Sequence, residues 1–206
     1  MSIGFDGLVE KYIGFNEKAL HGEYWRFVTT IFVHDIPHHQ HIFGNSLGLL
    51  AFGTLSERYF GKRNYILVYM TAGLLAPVYD IVAYCGLDIL IDVNVNNCDP
   101  SGYVDYGASG CVFGLVGALL VYALTNKKDL FGSSIRSKLL YGTSMSIYIV
   151  GALIVSHGLF SDNLLDVLWG FSSPASGFME HVHGGAFIIG IILGFLIVTL
   201  RLIKAR

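Results

Sequence analysis

Five apolar runs divide this chain, at His39 to Ser56, Tyr65 to Leu87, Tyr106 to Thr125, Leu139 to Phe160 and Glu180 to Ile203. Each approaches the ~20 residues a helix needs to cross a bilayer, and the first is the shortest. The runs are continuous rather than alternating, and in lipid every backbone amide must find its partner within the segment. Both facts predict helices and exclude a transmembrane barrel. Apolar side chains make up 53% of the 206 residues and charged ones only 14%, which excludes an ordinary soluble domain of this size. The expected fold is an all-α polytopic membrane protein with five spans.

Charge is segregated along the chain, and segregation orients membrane proteins. Arg58, Lys62 and Arg63 follow the first run, Lys127, Lys128, Arg136 and Lys138 follow the third, and Arg201, Lys204 and Arg206 end the chain. The positive-inside rule puts these ends in the cytoplasm. The opposite connections are acidic, with Asp88, Asp92, Asp99 and Asp105 before the third run and Asp162, Asp166 and Glu180 before the fifth. The expected organisation is an outer, interfacial segment over 1–38, a transmembrane domain over 39–203 and a cytoplasmic tail over 204–206. No basic run calls for nucleic acid. Of three cysteines, Cys85 and Cys98 are spaced to close a disulfide across one outer loop, but isolated, partly buried thiols are the preferred reading.

Two of the runs carry groups that hydrocarbon does not tolerate without reason. Gly107-Ala108-Ser109-Gly110 opens the third, and His181-Val182-His183 lies at the outer end of the fifth. A serine hydroxyl becomes nucleophilic when an imidazole takes its proton. Two residues span about 200° of helical turn, so His181 and His183 do not face the same neighbour. Ala186, Gly190 and Gly194 continue the face of His183 as a ribbon of small residues, whereas Ile188 and Ile192 continue that of His181. Close helix approach favours the small ribbon, and Gly110, Gly114 and Gly117 match it on the serine helix. The expected pair is Ser109 with His183. In the first run His41 and Asn45 are four residues apart on one face, two donors suited to an oxyanion together with the Ser109 N–H at its helix start. His34, His38 and His39 beside Asp35 read as a solvated cluster rather than a zinc site.

These residues resemble the rhomboid family of intramembrane serine proteases. The likeness rests on the serine motif from Gly107 through Gly110, Gly114 and Gly117, and on His183 with Gly190 seven positions on. It rests also on Trp25-Arg26, on His34 before His41-xxx-Asn45, and on Glu57-Arg58-Tyr59-Phe60-Gly61. The resemblance implies a rhomboid-like helical bundle. It implies a Ser–His dyad with Ser109 as nucleophile and His183 as general base and acid, His41 and Asn45 as oxyanion donors, and Phe113 as a ring against the histidine. It further implies single-span transmembrane substrates in the lipid bilayer, cut near the outer boundary, with no metal or other cofactor.

The pattern departs from the family in three places. The common core has six spans, and Asp6, Glu10, Lys11, Glu17, Lys18 and Glu23 keep residues 1 to 24 from supplying the first, so a trimmed or alternatively started form or a five-span variant is expected. Ile3, Phe5, Leu8, Val9, Tyr12 and Ile13 are expected on the membrane surface instead. The gap from His34 to His41 is longer than usual, and the final histidine is doubled. The alternative function is a catalytically inactive rhomboid-like protein that binds or escorts transmembrane partners. The short loops and compact core favour a bacterial plasma membrane.

Overall fold

The computed structural model describes residues 12–34, 39–91, 104–126 and 180–204. The run expected at Leu139 to Phe160 lies outside these, as do Asp35, His38 and Cys98. Six helices are labelled in chain order: α1 (Arg26–Phe32), α2 (His39–Gly48), α3 (Thr54–Phe60), α4 (Lys62–Cys85), α5 (Ser109–Asn126) and α6 (Glu180–Lys204). Helices α2 and α3 are joined by a wider, π-type turn over Leu49–Gly53, so the first apolar run is one helical path with a widened middle. Among the described residues, α4 and α6 are long and apolar enough to cross a membrane, and Ser109–Thr125 is a shorter apolar helix. The chain is an all-α polytopic membrane protein.

Helices α4, α5 and α6 pack pairwise against one another, most extensively α5 against α6, and small residues are the reason. A Cβ added at Gly114 would meet the Ala72 Cβ at 2.2 Å, and one at Gly190 would meet the Gly114 carbonyl oxygen at 2.0 Å. One at Gly117 would strike the Phe187 carbonyl oxygen at 2.2 Å, and one at Gly194 the Ala118 Cα at 2.9 Å. The Ala186–Gly190–Gly194 ribbon therefore lies on the α5 backbone, while Ile188 and Ile192 are exposed. Lipid offers no hydrophobic drive for apolar helices to associate, so dispersion across such close contacts holds the bundle.

At the basic end, Arg201 clamps α6 to the end of α3. Its guanidinium donates to the Tyr59 carbonyl at 2.6 Å and to the Phe60 carbonyl, two acceptors left open at the C-terminus of α3. Tyr59 stacks on Tyr122 at 4.6 Å between centroids and Phe60 meets the same ring edge-on, within a core that includes Leu55, Leu115 and Ile197.

At the other end residues 12–34 form a folded cap. Tyr12 is half-exposed, but Phe15 and Ala19 are fully buried against Ile81, Cys85 and Ile89. Cys85 is disulfide-bonded, while Cys111 is free and buried. This corrects the reading of the cysteines as isolated thiols: Cys85, the last residue of α4, is bonded, and such bonds persist in oxidising compartments.

Widening the tightest crossing should separate α5 from α6. Gly190→Val is expected to cost about 1–3 kcal/mol by overpacking, seen as a lower Tm in detergent. Gly44→Ala, with nothing within 4 Å of the added Cβ, is expected to leave Tm unchanged or raise it.

Candidate active site

Helix α5 begins at Ser109 itself, three residues later than the apolar run suggests. Gly107 sets that start. It has φ +117, a left-handed conformation that a side chain disfavours, and a Cβ there would lie 2.6 Å from His41 Nε2 and 3.5 Å from Asn45 Nδ2. Glycine is thus required twice, once by backbone and once by the side chains packed against it. The chain turns sharply at Gly107, and Ser109 enters the helix with its N–H among the open donors of the first turn.

Across the α5–α6 crossing, His183 Nε2 stands 3.0 Å from Ser109 Oγ. The Phe113 ring stacks on the imidazole with centroids 4.5 Å apart and planes at 22°. Phe113 lies four residues beyond Ser109 on the same helix face, so one helix supplies both the hydroxyl and the surface on which the imidazole rests. The side chains of His181 and Glu180 fall outside what the structure describes.

His41 and Asn45, one turn apart on α2, approach Gly107 from the other side. Asn45 is buried, and its Nδ2 has no hydrogen-bond acceptor among the described residues. A buried amide donor left in this state costs about 1–3 kcal/mol; an acceptor arriving at the site would recover it. The His41 ring packs between two others, edge-on to His34 at 5.0 Å and tilted against Tyr106 at 5.8 Å. His34, read from sequence as part of a solvated cluster, is instead half-buried against His41. Burial lowers its pKa, and a hydrogen bond to the Phe32 backbone opposes the shift.

The backbone ahead of Ser109 is supported by residues that the sequence reading passed over. Phe15 and Asp105 exchange both backbone hydrogen bonds, each 2.9 Å. The Thr30 hydroxyl donates to the Asp105 carbonyl at 2.5 Å, and the Gly107 N–H donates to the Thr30 carbonyl at 2.8 Å. Arg26 is 1% exposed; it pairs with Glu23 and donates to the Gly14 carbonyl at 2.7 Å. Trp25 Nε1 donates to the Tyr12 carbonyl at 3.2 Å. No single-residue signal marks Phe15, Thr30 or Asp105; Trp25-Arg26 was noted only as a motif.

Fold and site together define a polytopic helical membrane protein that holds a serine and a histidine in hydrogen-bond contact where two transmembrane helices cross. The chain belongs to the rhomboid family: the family's Rhomboid domain model matches residues 21–203. It is 34% identical over 114 residues to the rhomboid protease GluP of Bacillus subtilis (strain 168), covering 55% of this chain and 18% of that protein. With YdcA of the same bacterium it shares 28% identity over 158 residues, covering 77% of this chain and 69% of the relative. It is also 31% identical over 114 residues to the chloroplastic RHOMBOID-like protein 9 of Arabidopsis thaliana, covering 55% of this chain and 22% of that protein.

The two requirements on Gly107 are separable. Gly22→Ala, at φ +126 with nothing within 4 Å, should incur only the backbone cost of about 1–2 kcal/mol. Gly107→Ala should lower stability further, because His41 must also move. Thermal unfolding of the two variants side by side measures the difference.

Proposed function

We propose that this chain is an intramembrane serine protease that hydrolyses peptide bonds of single-span membrane proteins near the outer boundary of the bilayer. The observation that carries the reading is the 3.0 Å contact between His183 Nε2 and Ser109 Oγ, the geometry a general base needs to take the hydroxyl proton. In the resting pair the serine O–H donates to an unprotonated Nε2, and the ring proton sits on Nδ1. Ser109 Oγ attacks the scissile carbonyl carbon as its proton passes to Nε2. The tetrahedral intermediate collapses when Nε2 gives that proton to the leaving amine nitrogen, leaving an acyl ester on Ser109. A water then loses its proton to Nε2 and attacks the ester carbonyl. His183 finally returns the proton to Oγ and the acid product departs.

The negative charge on the carbonyl oxygen needs donors already in place. Asn45 Nδ2, buried without an acceptor among the described residues, is one. His41 Nε2 is another, and the Ser109 N–H a third. Phe113 holds the imidazole plane while the proton moves, so no acidic third member is required to orient it. Water must reach the pair for deacylation, which favours a cavity open to the outer side, where both helices begin. A bacterial plasma membrane fits the family and two of its Bacillus subtilis members.

Cleavage of a single-span substrate co-reconstituted in liposomes tests the assignment. Ser109→Ala and His183→Ala are expected to abolish cleavage, while His181→Ala retains it. Asn45→Ala is expected to lower kcat by about 10²–10³ if its amide holds the oxyanion. Loss in His181→Ala with activity in His183→Ala would reverse the choice of base. A folded native chain that cleaves no tested substrate would favour an inactive, partner-binding member of the family.

A further inference from the structure

We infer that Thr30 is a positioning residue for the serine, through a clamp that fixes the two peptide planes ahead of Gly107. The inference rests on Ser109 being the nucleophile, and it concerns what holds that nucleophile's backbone in place. Helix α1 ends two residues after Thr30, and the Thr30 carbonyl accepts the Val33 N–H at 3.3 Å at the helix C-cap, with its second lone pair left for a partner outside the helix. It takes the Gly107 N–H at 2.8 Å, while the side chain of the same residue donates to the Asp105 carbonyl at 2.5 Å. That carbonyl also accepts the Phe15 N–H at 2.9 Å, so both of its lone pairs are used. One residue thereby sets the peptide plane before Tyr106 and the plane before Gly107.

The environment makes these bonds count. Thr30 is 2% exposed, Phe15 fully buried and Asp105 9% exposed, so water does not compete for the same groups. Burial also raises the Asp105 carboxyl to about 7. The clamp itself uses the Asp105 backbone, however, and does not depend on that charge. Thr30 is anchored in turn by the cap: Arg26 holds the Gly14 carbonyl at 2.7 Å and Thr29 the Ile13 carbonyl at 2.7 Å. Rigid support therefore runs from α1 into the left-handed turn at Gly107, and from there into the first turn of α5. The direction of the Ser109 N–H and the placement of Oγ against His183 both follow from that turn. Releasing it by a fraction of an ångström would degrade attack geometry without touching the chemical groups.

Valine at 30 keeps the shape and the backbone carbonyl but removes the hydroxyl donor, whereas serine keeps the donor. In the liposome cleavage assay Thr30→Val is expected to lower kcat by about tenfold or more with KM unchanged, and Thr30→Ser to restore most of it. Hydrogen–deuterium exchange reads the clamp independently of activity. In the native chain the amides of Asp105 and Gly107 should exchange as slowly as the core of α5, and Thr30→Val should accelerate them while α6 keeps its protection. Native kcat in Thr30→Val would overturn the inference, as would equal losses in the valine and serine variants that follow Tm. Fast exchange at 105 and 107 in the native chain would overturn it without any variant. A native chain that cleaves nothing would defeat the protease reading, and exchange would still decide the clamp.

Discussion

The backbone contact between α5 and α6 is the constraint on which the rest of the structure depends. Gly190 lies so close to the Gly114 carbonyl that no side chain fits between them. At that spacing a serine on one helix and a histidine on the other meet at 3.0 Å. A serine side chain is short. With larger residues at the crossing the helices would stand at the usual 8–10 Å or beyond, and the imidazole would no longer reach Oγ along its present line. In water such a contact would be reinforced by hydrophobic burial. In lipid, shape complementarity must do it, so small residues line the crossing over about two turns, from Ala186 to Gly194.

Two clamps stabilise the ends of this arrangement. On the basic side Arg201 ties the last helix to the C-terminus of the first helical path, which prevents α6 from sliding along its axis and carrying His183 with it. At the opposite end the cap over residues 12–34 is fastened by polar groups. Arg26, Thr29 and Trp25 each donate to a backbone carbonyl in the preceding segment, and Phe15 pairs with Asp105. Between these ends the site is assembled from three helices: the hydroxyl and its aromatic rest from α5, the imidazole from α6 and the amide donor from α2. Leaving Asn45 Nδ2 buried with no acceptor among the described residues is the kind of local cost that a site tolerates when a ligand supplies the missing partner.

Much of this was legible in the sequence because it is written in side-chain type and helical period. Among the described residues the apolar runs mark the helices, and the period of small residues after His183 selects the face that lies on α5. Ser109, His183, His41 and Asn45 stand out because polar groups are rare in apolar runs. What stayed hidden depends on backbone geometry and long-range pairing. Thr30 and Asp105 are unremarkable alone; their meaning comes from bonds to carbonyls 75 positions apart in the chain. Helix α5 starts at Ser109 rather than Tyr106 because Gly107 adopts a left-handed turn, which hydropathy does not register. The cap escaped notice because α1 is seven residues long and is held by side-chain-to-backbone bonds rather than by a periodic apolar face. The disulfide at Cys85 is hidden from the sequence because spacing alone does not distinguish a bonded cysteine from a buried thiol.

On the proposed reading, the α5–α6 crossing activates Ser109 through His183. The most direct measurement is to treat the protein in its native membrane with a fluorophosphonate and locate the adduct by tandem mass spectrometry. The expected result is a single adduct, on Ser109 Oγ, absent when His183 is replaced by alanine. An adduct on a different residue, an adduct on Ser109 that persists without His183, or no adduct on a chain shown to be folded would contradict it.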